Sequence, residues 1–153
     1  MGINITLSRI KLIRESCHRY GNIESRHIDG PEDAVRIINA VLDLEHEAQE
    51  IFGELFLDAK NNLVGMMEVS RGSLTASVAH PREVFKAALL VGSCANLILF
   101  HNHPSSGDPT PSTEDIHLTK QMKRAGEIIG IPLLDHLVIG DGRYISMKET
   151  DQM

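Results

Sequence analysis

The stretch NLILF, residues 96–100, carries no polar side chain after Asn96. A strand open to water on one face alternates apolar and polar residues, so a run without alternation asks for cover on both faces. Three segments read as helices able to supply it. DGPEDAVRIINAVLDLEHEAQE sets Pro31 at the first helical position, with Glu32 and Asp33 at the positive end. Its Ala34, Ile37, Ile38, Val41 and Leu42 share one face, and the helix is expected to run on towards Glu50. HPREVFKAALLVGS opens on Pro81, with His80 flanking it as a cap. STEDIHLTKQMKRAGEIIG ends on Gly130, a residue suited to the left-handed cap position.

The remaining apolar runs read as strands. ELFLD and LVGMMEVS flank the turn residues AKNN, a hairpin signal, and SLTASVA follows a second turn at Arg71-Gly72. PLLDHLVIG, the turn DG and RYISM form a closing hairpin. The opening INITLSRIKLIRE alternates, with a slip between Leu7 and Ile10, as a strand with a bulge would. The pattern is that of one α/β domain over 1–153, a mixed sheet flanked by about three helices. Residues 1–30 form its N-terminal strand and irregular lead-in.

Composition narrows the function classes. With Trp absent and aromatics at 4%, the core must be built mainly from Ile, Leu, Val and Met. A net charge of −6 supplies no global field that would draw the chain to nucleic acid or an anionic membrane. No segment approaches the roughly 20 apolar residues of a membrane span, and the first thirty residues lack a signal-peptide core. The expectation is a cytoplasmic protein with no membrane partner. Cys17 and Cys94 are far apart and form neither a disulfide framework nor a thiolate metal site.

The chemistry concentrates in HNHPSSGDPTPSTED, residues 101–115. His101 and His103 stand two apart at the end of the buried strand, so both imidazoles share one face and can meet one metal ion. Catalytic zinc commonly takes three protein ligands and leaves one position open. Asp115, in the first turn of the following helix, is the best-placed third ligand. An isolated H-x-H more often binds nothing, and Ser112 with Asp115 also makes a helix-capping pattern. The conjunction carries the reading: histidines at a strand end, a proline-stiffened loop, and a capped helix bearing a carboxylate. His136, next to Asp135, is read mainly as hairpin packing, with orientation of a metal ligand as the second option.

The same stretch resembles the H-x-H-x7-S-x2-D signature of the JAB/MPN (JAMM) metallopeptidases, and more closely their RadC-like branch. IKLIRES, LFLDAKNNL, HPREVFKAAL and LLDHLVIG are similar to that branch's flanking blocks, so the likeness runs from about residue 9 to 148. It implies a single JAB/MPN-like fold, related in architecture to cytidine deaminases. It also implies one Zn²⁺ per chain held by His101, His103 and Asp115. Glu50 matches the family's general base, with Glu54 as runner-up. Ser112 matches the serine that supports the oxyanion. The implied function is zinc-dependent hydrolysis of a peptide or isopeptide bond in a peptide or protein substrate.

Two departures stand out. Eight residues, rather than seven, separate His103 from Ser112, and the doubled Ser105-Ser106 reads as an insertion that the loop should absorb as a bulge. No segment of this sequence resembles the helix-hairpin-helix module of longer relatives, and the expectation is a single domain without it. A nucleobase deaminase is set aside because the H-x-E and P-C-x-x-C pieces are missing. The remaining rival is a non-catalytic or DNA-repair-associated binding module with a structural metal site, against which stand the acidic charge and the full ligand set. Edge strands in such a domain leave a homo-oligomer open.

Overall fold

A computed structural model of the chain describes residues 25–44, 46–72 and 79–153. The strands expected at the N-terminus and at 73–78 lie outside those residues. The described elements run α1 (Pro31–Leu42), β1 (Ile51–Leu57), β2 (Leu63–Arg71), α2 (Pro81–Leu90), β3 (Asn96–Asn102), α3 (Thr113–Ile129), β4 (Leu133–Ile139) and β5 (Tyr144–Ser146). The five strands form one sheet in the order β2-β1-β3-β4-β5. β1 is antiparallel to both neighbours, while β3 and β4 are parallel and joined through α3. β5 returns antiparallel as the expected hairpin. The sheet is therefore mixed, with three helices, as the residue pattern required.

The apolar run of β3 lies in the middle, and its two faces feed two cores. Ile98 and Phe100 pack with Ile51, Leu55 and the α1 residues Ala34, Ile37 and Ile38. Leu97 and Leu99 pack on the other side with Phe52, Phe56 and residues of α2 and α3, among them Val84, Phe85 and Met122. Gly53 is needed where the layers cross: a Cβ there would stand 2.3 Å from the Phe100 ring. Phe100 thus fills the volume that any side chain at 53 would claim.

The first helix stops earlier than the sequence pattern suggests. α1 ends at Leu42, and Asp43 takes a left-handed conformation at φ 50° while its N–H bonds the Asn39 carbonyl. Leu44 then turns into the core. Residues 46–50 carry no helix or strand, so Glu50 sits at the approach to a strand and not on a helix end. α2 is capped as expected, the His80 ring accepting from the Arg82 N–H at 3.2 Å. α3 opens on a full capping box between Ser112 and Asp115 and closes on Gly130 at φ 82°. Among the described residues no helix is long and apolar enough to cross a membrane.

Glu54 is the anomaly of the core. It is fully buried on β1, and neither carboxyl oxygen has a hydrogen-bond partner. Burial pushes its carboxyl up to about 9, so the group is protonated at neutral pH. In the unfolded chain it ionises near 4.5. Between those two values unfolding releases a proton, so stability falls as pH rises through that window. Replacing Glu54 by Leu should stabilise the fold by roughly 1–3 kcal/mol at pH 8. The gain, measured by thermal unfolding, should shrink towards pH 5. A gain that grows on acidification would contradict the assignment.

Candidate metal centre

The site forms where β3 runs out. His101 is the second-last residue of β3, and His103 extends its ladder by one more bond, its N–H reaching the Ile139 carbonyl at 3.0 Å. The two Nε2 atoms lie 3.1 Å apart. Asp115 comes back from α3 to both of them, Oδ1 at 3.4 Å from His101 Nε2 and Oδ2 at 3.5 Å from His103 Nε2. The pairing register brings a second carboxylate from the other side. β1 and β3 pair Phe52 with His101, and the same register carried two residues further sets Glu50 opposite His103. A Glu50 oxygen and the two histidine nitrogens all lie within 4.8 Å of one another. Glu54 shares that face of β1 but pairs with Leu99, roughly 13 Å along the strand from Glu50 at about 3.3 Å per residue. The structure thus gathers Glu50, His101, His103 and Asp115, and leaves Glu54 in the apolar core.

The loop from 104 to 111 is held by its own hydrogen bonds. The Gly107 N–H bonds the His103 carbonyl at 2.9 Å, closing a tight turn over the doubled serine, with Gly107 at φ 64°. That left-handed conformation suits glycine. Ser106 Oγ accepts from the Asp108 N–H, and the Asp108 carbonyl still reaches His103 Nδ1 at 2.8 Å. The turn is then tied to the β4–β5 connection by Asp141 N–H to Gly107 carbonyl at 2.9 Å.

These partners decide which ring nitrogens face the centre. A carbonyl only accepts, so His103 Nδ1 carries the hydrogen and its Nε2 presents a lone pair. For His101 the chain is longer. The Thr119 hydroxyl donates to the Asp115 carbonyl at 2.6 Å, so at 2.6 Å from His136 Nδ1 it accepts. His136 Nε2 is then bare and accepts from His101 Nδ1 at 2.8 Å, leaving His101 Nε2 bare as well. Burial, followed by the neighbouring His101, holds the His136 imidazole well below the usual histidine range, consistent with this neutral tautomer.

Two lone pairs at 3.1 Å, with carboxylates on both sides, repel unless a positive charge lies among them. That donor set, two imidazoles and two carboxylates, suits a divalent transition metal. Burial disfavours the charged Asp115 carboxyl, and the hydrogen bonds from Ser112 favour it. Asp115 Oδ2 takes both the Ser112 N–H and the Ser112 hydroxyl at 2.7 Å, so the serine proton is directed at the carboxylate. His103 is the more open of the two histidines, its side chain 19% exposed against 0% for His101, and a cleft of about 300 Å³ beside it is lined by Pro104, Gly107 and Gly140 among others.

Three contributors are missed or ranked too low by a reading of the sequence. His136, for which orientation of a ligand is only the second option there, is a partner of His101. Thr119 stands one helical turn after Asp115, a spacing that places both on one face of α3. The third is Asn102, between the two histidines. Replacing His136 by Phe keeps a ring against Phe52, which it meets edge-on at 5.8 Å, and removes the acceptor that fixes His101. Metal affinity, measured by competition with a chelator, should fall about 10–100-fold. Unaltered affinity would show that His101 is oriented by other means.

The surroundings of this site have relatives. The UPF0758 protein of Shouchella clausii is 50% identical over 122 residues, which cover 80% of this chain and 51% of that protein. The UPF0758 protein of Caldanaerobacter subterraneus is 46% identical over 126 residues, 82% of this chain and 52% of its own. One from Clostridium botulinum is 44% identical over 146 residues, 93% and 62% respectively. The chain spans about half the length of the curated relatives it matches. Residues 28–152 match the RadC-like JAB domain, a stretch that takes in every helix and strand described above. The chain belongs to the RadC-like JAB domain family.

Proposed function

We propose that the centre is that of a zinc-dependent hydrolase acting on a peptide or isopeptide bond of a peptide or protein substrate. The observation that carries the reading is the placement of Glu50 with His101 and His103, ligand atoms within 4.8 Å of one another, while Asp115 meets the same two rings. His101, His103 and Asp115 would hold one zinc ion, which supplies Lewis acidity towards a water and a scissile carbonyl.

The two carboxylates are unequal, and this divides their roles. Asp115 is a poor proton acceptor, since one of its oxygens is filled by the Ser112 N–H and hydroxyl. It is suited to binding positive charge. Glu50 stands on the half-buried approach to β1 beside the two histidines, where it can take a proton from water and return it to the leaving amine. Ser112 is assigned to the oxyanion. To serve there its hydroxyl must turn away from Asp115 Oδ2, while the Ser112 N–H keeps that oxygen satisfied.

Replacing Glu50 by Gln should leave zinc content intact and lower hydrolysis about 10²–10⁴-fold, on a substrate that the parent cleaves. His103→Ala should lose zinc itself. Unchanged turnover by the Glu50→Gln protein would remove Glu50 from the mechanism.

A further inference from the structure

Asn102 points away from the metal centre. It follows His101 on β3, so its side chain leaves the opposite face of the strand from the two imidazoles. It is 2% exposed, and the hydrogen bonds of its side chain all go to residues between Leu44 and Ile51. Oδ1 accepts from the Ile51 N–H at 2.7 Å. Nδ2 shares its two hydrogens among the carbonyls of Gln49 at 3.1 Å, Leu44 at 3.3 Å and Glu47 at 3.4 Å. The amide orientation is unambiguous, because a flipped group would set its oxygen against three carbonyls.

Three of these partners, Leu44, Glu47 and Gln49, belong to the stretch between α1 and β1, and the fourth, Ile51, is the first residue of β1. Two of them, the Gln49 carbonyl and the Ile51 N–H, flank Glu50 in the chain. The Glu50 carbonyl itself accepts from the Gly72 N–H at 2.9 Å. Residues 46–50 have no ladder or helix of their own, so side-chain clamping takes the place of secondary structure in deciding where residue 50 lies. A catalytic group displaced by about 1 Å can lose 10²-fold in rate, which makes such a clamp consequential.

We propose that Asn102 is a positioning residue for Glu50: one side chain, set between the two histidines, fixes the main chain on both sides of the carboxylate and so couples its position to theirs. The inference rests on the reading of Glu50 as proton acceptor. It accounts for an amide at this position. An aspartate would face three carbonyls with negative charge, and a shorter hydroxyl side chain could not span both Ile51 and the three carbonyls.

The test uses the cobalt(II)-loaded full chain and two readouts. Backbone hydrogen exchange of residues 44–51 should rise roughly tenfold in Asn102→Asp, with β3 and β4 unchanged, as a local opening requires. Asn102→Ser gives the same comparison if the aspartate variant fails to fold. Cobalt affinity should stay within about threefold of the parent, since the ligands face the other side of the strand. The pH profile of cobalt visible absorption should move towards that of Glu50→Gln. In the double variant, Asn102 should add nothing to the Glu50→Gln profile. Exchange at 44–51 that stays at the parent rate overturns the proposal, as does a profile shift that persists undiminished in the Glu50→Gln background. If Glu50→Gln itself leaves the profile unmoved, the reading of Glu50 fails and the positioning role falls with it.

Discussion

β3 is the reference to which every part of the site is tied, because it is hydrogen-bonded along both edges and covered on both faces. Its antiparallel partner β1 brings Phe52 opposite His101, and so carries Glu50 to the histidines. Its parallel partner β4 brings His136 level with Leu99, within reach of His101. The parallel pairing needs a crossover, and α3 is that crossover, returning Asp115 over the strand end. Four side chains distant in sequence converge because one strand is shared by all the contacts that place them.

Electrostatics then shapes what converges. The bonds at the outer nitrogens of His101 and His103 leave both inner nitrogens bare, and two carboxylates approach the same space. Such a set is poorly stable without a cation, since buried like-signed groups are not screened by water. The polarity of the network runs from the Asp115 carbonyl through Thr119 and His136 to His101. Asp115 therefore acts twice, its side chain at the centre and its main chain at the far end of the chain that orients His101. The α3 N-terminus adds a capping box to the same residue, so helix stability and site geometry rest on shared bonds.

Much of this was legible in the residues. The unbroken apolar run of β3, the proline-opened helices and the S-x-x-D cap follow from local rules, and all are found where those rules set them. His101 and His103 share a face because alternation in a strand leaves no choice. The early end of α1 was not legible. The apolar period continues past Leu42, but Leu44 is claimed by the core and Asp43 takes the left-handed cap. His136 was read mainly as packing, because its distance from His101 depends on a parallel register that no local pattern encodes. Asn102 resembled a spacer between ligands, since its partners lie more than fifty residues away in sequence.

By itself, then, the sequence determined the elements and the inventory of reactive groups: a doubly covered strand, two histidines on one of its faces, a capped helix carrying a carboxylate. These depend on interactions within a few residues, which periodicity and capping express directly. Tertiary structure alone decided between Glu50 and Glu54, two carboxylates four residues apart on one face of the chain. The pairing register with β3 sends one to the open strand end beside the histidines and the other into an apolar core that burial keeps protonated. Register is a long-range property, set by the packing of both sheet faces at once, and so lies beyond what local spacing can specify.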